Sequence, residues 1–207
     1  MTLRLFNLDV TDEKLSEKAV HEAVEAFGRI DVLINNAGYG HFEAFEQKSP
    51  VAFREEIETN FFGVVNMTRS VLPFMRTQRT GHIINISSVG GRVGTPGLTA
   101  DQAAKWAVGG FSEVLRNEVS HLNIKVMAIE PGGMRTDWAR AARNAAAQSV
   151  LPDYYESVGR TIERINAYAG HEFGDPAKIA HLICKLTERD DLPAHLVLGT
   201  GALASFD

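Results

Sequence analysis

Cysteine is nearly missing from this chain: Cys184 is the single one in 207 residues. That excludes an intramolecular disulfide and suits a reducing compartment. There is no block of Lys and Arg either, and 21 basic residues against 26 acidic ones leave a net charge of −5. Neither nucleic acid nor an acidic membrane surface is therefore an expected partner. No apolar run reaches bilayer-spanning length, and no charged–apolar–small leader pattern opens the sequence, so the expected setting is the cytoplasm. Metal ligands are sparse as well. His181 lies three residues before Cys184 and His171 precedes Glu172, whereas a zinc site takes three or four convergent ligands. A half-buried histidine and a packed thiol are expected there, and no metal.

What is present reads as an ordinary globular chain, 44% hydrophobic and 23% charged, long enough for one core and too short to require two. One domain over 1–207 is expected. Residues 3–8 (LRLFNL) have strand-like content, and Thr11 or Asp12 can cap a helix running to about Phe27, which Gly28 stops. Residues 30–34 (IDVLI) are a buried-strand run leading into Asn35, Asn36, Ala37 and Gly38. Ser49 and Pro50 start a long helix to about Thr77, bent near Pro73. Strands follow at 82–86, 125–129 and 196–198, with helices at 101–122 and from Pro176 to about Glu188. Strands rich in Ile, Val and Leu alternating with helices predict a three-layer, doubly wound, mostly parallel α/β sheet. The alternation lapses over 134–170, where two helices (138–147 and 152–169) follow each other. That excursion either covers the sheet or forms a lid over a substrate pocket.

The segment 83–111 brings chemistry together: paired serines Ser87 and Ser88 at a strand end, then Asp101 and Lys105 on a helix. Each group also has a structural reading. The Asn35–Gly38 amides can satisfy neighbouring strand ends, Asn60 can bond backbone only, and Ser88 and Asp101 can be helix caps. A Ser–Lys pair can serve acyl transfer, and an Asp–Lys pair proton transfer in a lyase.

Asn35, Asn36, Ala37, Gly38, Asn60, Ser87, Ser88, Lys105, Pro131 and Gly132, in this order, resemble the short-chain dehydrogenase/reductases. Ser88 lies thirteen residues before Asp101, and Asp101 four before Lys105, the separations of that family's Ser, Tyr and Lys. The resemblance runs from about Asp9 to Gly199 and implies a Rossmann-like fold acting on a carbonyl or alcohol with NAD or NADP. By it, Ser88 would bond the substrate oxygen, Lys105 the nicotinamide ribose, and Asn60 a proton-relay water. Asp9 would touch adenine, Asn36, Ala37 and Gly38 the adenosine ribose, and Pro131, Gly132 and Gly133 the nicotinamide. The helices over 50–77 and 101–122 match the family's dimer-forming helices, which implies a homodimer or homotetramer.

Two departures qualify this. The family's opening TGxxxGxG turn is not in these residues, which begin at what matches its third strand, so NAD(P) binding is expected to be weakened. Residues 3–8 are expected to move inward beside 30–34, reducing the sheet to about five strands. Asp9, Asp12 and Glu13 would then stand where a pyrophosphate should bind, and like charges oppose it. The second departure is Asp101 in the tyrosine's place. Four residues before Lys105, it should ion-pair, stay ionised at neutral pH and have no proton to give. Tyr39, and Tyr154 or Tyr155 on the lid, are the phenols available to replace it. The expected function is an oxidoreductase impaired or inactive in the usual reaction. The alternatives are a hydrolase or lyase reusing Ser88, Asp101 and Lys105, or a catalytically silent oligomeric fold.

Overall fold

A computed structural model describes residues 2–138, 150–199 and 202. Among them, four parallel strands form one sheet in the order β1-β2-β3-β4: β1 Val32–Asn35, β2 Gly81–Ile86, β3 Ile124–Pro131 and β4 His195–Leu198. Helix α1 (Glu13–Phe27) starts where the Asp12 carboxylate accepts from Leu15 N at 3.0 Å, and ends at Gly28, whose φ of +80° suits a residue without Cβ. Ser49 caps α2 (Pro50–Ile57) by accepting from Ala52 N.

The expected single helix over 50–77 is interrupted. A π-helical turn, Glu58–Phe62, separates α2 from α3 (Gly63–Gln78), while Pro73 sits inside α3 without ending it. That turn carries the buried Asn60. Helix α4 spans Thr99–Val119, α5 Arg160–Tyr168 and α6 Pro176–Leu186, the last capped by Asp175.

The strands alternate as their sequence requires. Ile83, Ile124 and Val126 face one side and pack with Val20, Val71, Met75 and Leu115 from α1, α3 and α4. Ile84, Met127 and Ile129 face the other side and pack with Ile183 and Leu186 of α6. This is the three-layer doubly wound α/β arrangement. The chain is not covered equally, however: Ile34 on β1 is 46% exposed.

One expectation fails. Residues 3–8 form no strand, and Leu3 and Leu5 are 75% and 88% exposed. The sheet therefore has four described strands rather than about five. The reason lies at the start of α1. Asn66 on α3 donates to Val10 O at 3.0 Å, Arg69 pairs with Glu13, and Val10 packs so tightly on Gly63 that a Cβ there would come within 2.6 Å. These contacts hold the chain before α1 against α3, and residues 3–8 are not brought to the β1 edge.

Candidate functional site

A cavity of about 1060 Å³ opens at the carboxyl ends of the strands, lined by Asn36, Gly38, Ile86, Ser88, Asp101 and Lys105 among others. Pro131 and Gly132, at the end of β3, also face it. The strand ends converge there because a parallel sheet places all its carboxyl termini on one side. The excursion after β3 contributes Met134, Trp138, Ile165 and Tyr168 to the wall; all of the first expected helix (138–147) after Trp138 lies outside the described residues.

Ser88 is in extended backbone just past β2, and its Oγ accepts from Gly90 N at 3.0 Å. The capping expectation is therefore correct, and the hydroxyl proton stays available to a ligand. Lys105 does not form the expected ion pair with Asp101. Its Nζ donates to Ile86 O at 2.9 Å, the carbonyl at the end of β2. Burial lowers its pKa, and Asp101 only partly restores it.

Asp101 Oδ1 instead accepts from Asn60 Nδ2 at 3.1 Å. Burial is the largest influence on the carboxyl and pushes it up to about 6, against the pull of Lys105. The carboxylate thus titrates near neutrality, with roughly a tenth protonated at pH 7. The spacing of four correctly put Asp101 and Lys105 on one helix face; what it could not show was that desolvation would exceed the lysine's attraction.

The Asn60 side chain is fully committed. Its Oδ1 accepts from Tyr39 N at 3.0 Å and its Nδ2 also donates to Tyr39 O at 2.7 Å. It clamps the Asn36–His41 stretch to Asp101. Asn35 takes the structural role foreseen for this turn, donating to Asn85 Oδ1 at 2.8 Å and to Thr68.

The other expected positions separate. Asn36 and Gly38 line the cavity, but Ala37 does not, and neither does Asp9. Asp9 accepts from Thr11 N and Oγ1 at 2.9 and 2.8 Å, which hold its exposed carboxyl below the usual carboxylate range. With the chain at Val10 held against α3, and residues 3–8 not paired beside β1, the expected move of this turn toward the site is not seen, and Asp9 lies outside the cavity lining. Of the replacement phenols, Tyr154 donates to Glu46 and Tyr155 to Glu163 on the surface, away from the cavity. Tyr39 does line it, with its phenol pKa raised by burial, then by Glu56 and Glu55.

The sequence reading missed Lys48 and Glu56. Both side chains are fully buried, their charges 2.6 Å apart, and near enough to act on the Asp101 carboxyl. The available signal was Glu56 lying four residues before Asn60, so that both project from the same side of one helical run. Phe42 and Trp138, which meet edge to face over the cavity at 5.8 Å, were also missed.

The residues present fit the nicotinamide-ribose end of a dinucleotide. At Gly38 a Cβ would stand 3.0 Å from Asn60 Oδ1 and 3.7 Å from Lys105 Nζ, so a side chain there would press on the amide that holds Asp101. The TGxxxGxG turn that would cradle a pyrophosphate does not occur among the described residues; the glycines of 90–97 lie in the loop after β2, where Gly90 N donates to Ser88 Oγ.

Comparison with known proteins agrees with this geometry. The family model described as short chain dehydrogenase matches residues 2–147. The chain is 44% identical over 196 residues to Oxidoreductase BOA17 of Botryotinia fuckeliana, covering 95% of this chain and 71% of that protein. It is similar in structure to a short-chain dehydrogenase from Streptomyces avermitilis, with a TM-score of 0.84 at 34% identity, over 96% of this chain and 71% of the other. ElxO with NADP bound gives a TM-score of 0.79 at 26% identity, covering 97% and 78%. With a family-model match across more than half its length, and a relative 44% identical over 95% of it, the chain belongs to the short chain dehydrogenase family.

Proposed function

We propose that this chain is an NAD(P)-dependent oxidoreductase of a carbonyl or alcohol in which Asp101, rather than a phenol, handles the proton. In the usual reduction at neutral pH it is impaired. The observation that carries this reading is the placement of Asp101: on the cavity wall, four residues before Lys105, held by Asn60 and titrating at about 6. The NADP bound by ElxO supports the choice of cofactor.

Each residue then has a task. Ser88 donates its free hydroxyl proton to the substrate oxygen. Lys105, anchored to Ile86 O, keeps two N–H donors for a ribose. Asn60 orients Asp101. Protonated Asp101 gives its proton to the carbonyl oxygen on reduction, and ionised Asp101 takes it from the alcohol on oxidation. A bound nicotinamide would supply or accept the hydride. Because reduction needs the minor, protonated form at pH 7, it is slow there. The Ser–Lys reading for acyl transfer gains no support, since Lys105 bonds Ile86 O and Ser88 bonds Gly90 N.

The proposed assembly is a homodimer or homotetramer. Trp106 and Val114, 55% and 59% exposed, project from the same side of α4. Such apolar surface on a long helix is what an isologous interface covers. Light scattering should give a multiple of the 22.7 kDa chain mass, and Trp106→Asp should return it to monomer.

The test of function is titration with NADH and NADPH, then carbonyl reduction followed against pH. Reduction rising as pH falls through about 6 supports Asp101 as the acid. No dinucleotide binding, or a rate that climbs with pH, defeats the proposal.

A further inference from the structure

Behind the cavity wall lies the fully buried pair Lys48–Glu56. Its position is defined from three sides. Lys48 Nζ donates to Glu56 Oε2 at 2.6 Å and to His41 O at 3.3 Å. Glu56 stands at the end of α2, one turn before Asn60. The second oxygen, Glu56 Oε1, is buried with no hydrogen-bond partner. The loop between them is pressed on the site: a Cβ at Gly40 would come 3.4 Å from Asp101 Cβ. That loop is therefore fixed twice, at Tyr39 by Asn60 and at His41 by Lys48.

Stability alone does not account for this pair. Two charges taken out of water recover little more than their desolvation cost, and an apolar pair of the same volume usually does as well or better. An orphaned carboxylate oxygen adds to that cost. What the pair does have is a neighbour of functional interest. The groups acting on Asp101 are Lys105 from its own helix, Glu56 from α2, Asn60 from the π turn and Lys48 from the loop before α2, while Tyr39 and His41 line the same cavity. The charged ones are two of each sign, Lys48 bonded to Glu56, and Lys105 acting on Asp101 without an ion pair, inside one water-poor region. There Coulomb interactions reach further than at the surface.

We propose that Lys48 and Glu56 are positioning residues for Asp101, a buried charge pair that balances the site behind the cavity and locks the loop over it. The proposal rests on Asp101 being the proton-handling group. Glu56 favours the protonated carboxyl and Lys48 the ionised one, so their joint presence holds Asp101 between two extremes.

The arrangement makes opposite demands on two substitutions. Glu56→Gln leaves Lys48 as an unbalanced cation, so Asp101 should stay ionised to lower pH. Lys48→Met leaves Glu56 as an unbalanced anion, so Asp101 should keep its proton to higher pH. A pair that only filled space would shift both variants alike, or neither. The measurement is the carboxyl ¹³C resonance of Asp101 in ¹³C-aspartate-labelled protein, assigned by its loss in Asp101→Asn and followed against pH. Each single variant should move the titration midpoint by about one pH unit, in opposite directions. The double variant, neutral again, should return it toward the wild-type position. If Lys48→Met does not fold, Glu56→Gln and the double variant still decide: a downward move in the first and recovery in the second are required. Midpoints that stay put, or move together, overturn the proposal. Since the resonance is read without cofactor or substrate, that failure would leave the redox reading standing. A missing dinucleotide affinity would do the reverse.

Discussion

Asp9 and Asp101 carry the same side chain into two different regions. Asp9 lies in the exposed stretch before α1, where the backbone N–H and hydroxyl of Thr11, two residues on, hold its carboxyl in the charged form. Asp101 lies in the cavity wall, where burial outweighs Lys105 and pushes its carboxyl up to about 6. The first environment is local: any chain with that turn would make it. The second is assembled from α2, the π turn, the 38–41 loop and α4, and exists only when they are packed together. Hydrogen bonds to the charged form and desolvation act in opposite directions on a carboxyl, and here each governs one aspartate.

The comparison can be broken at several points. The largest effect is expected from Lys48→Met, which strands Glu56 as a buried unpaired charge; a loss of roughly 3–5 kcal/mol in urea unfolding is expected. A loss below 1 kcal/mol would mean that water reaches this region and that the charges near Asp101 are screened.

Asp101→Asn comes next, with the sign set by pH. Asp101 binds its proton more tightly folded than unfolded, so its contribution favours folding below about pH 4 and is lost as pH rises through about 6. Between the ordinary value of 3.8 and about 6 the loss is roughly 3 kcal/mol. Asp101→Asn should therefore be more stable than wild type at pH 8 by up to that amount, with the gap closing toward pH 4. A gap independent of pH would show that Asp101 is not desolvated.

Asp101→Tyr restores the family's phenol and should raise reductase turnover at pH 7 by at least about tenfold, at the low side of what a positioned acid–base supplies. It should also remove the acid dependence of the rate. The smallest effect belongs to Asp9→Asn. Its carboxylate is exposed and outside the cavity, so dinucleotide affinity should stay at the wild-type level. A clear drop in NADH affinity would place adenine against Asp9 after all.

How much was legible in the sequence follows the same division. The caps at Asp12 and Ser49, the prolines at Pro50 and Pro176, the stop at Gly28 and the apolar strand runs gave most element positions, because those are short-range effects. Ser88, Asp101 and Lys105 were grouped from their spacing and the strand end, and Asn36 and Gly38 were added by the family resemblance; all five line one cavity. The strand at 3–8 was misplaced because its fate depends on Val10 and Asn66 meeting across 56 residues. The partner of Asp101 and the rise of its pKa were missed, because sequence shows the lysine four residues away but not the water excluded around both. Lys48 and Glu56 carry no motif at all; only their joint burial marks them.

By itself, then, the sequence determined the α/β alternation, the helix ends and the grouping of a hydroxyl, a carboxylate and an ammonium at the strand termini. Periodicity, capping and fixed spacings act over a few residues and survive in the linear text. The tertiary structure decided that Asp101 leans on Asn60 rather than Lys105, that a second charge pair lies behind it, and that its proton is held near neutral pH. Those outcomes depend on the local dielectric and on distances between segments, quantities that arise only when the segments pack.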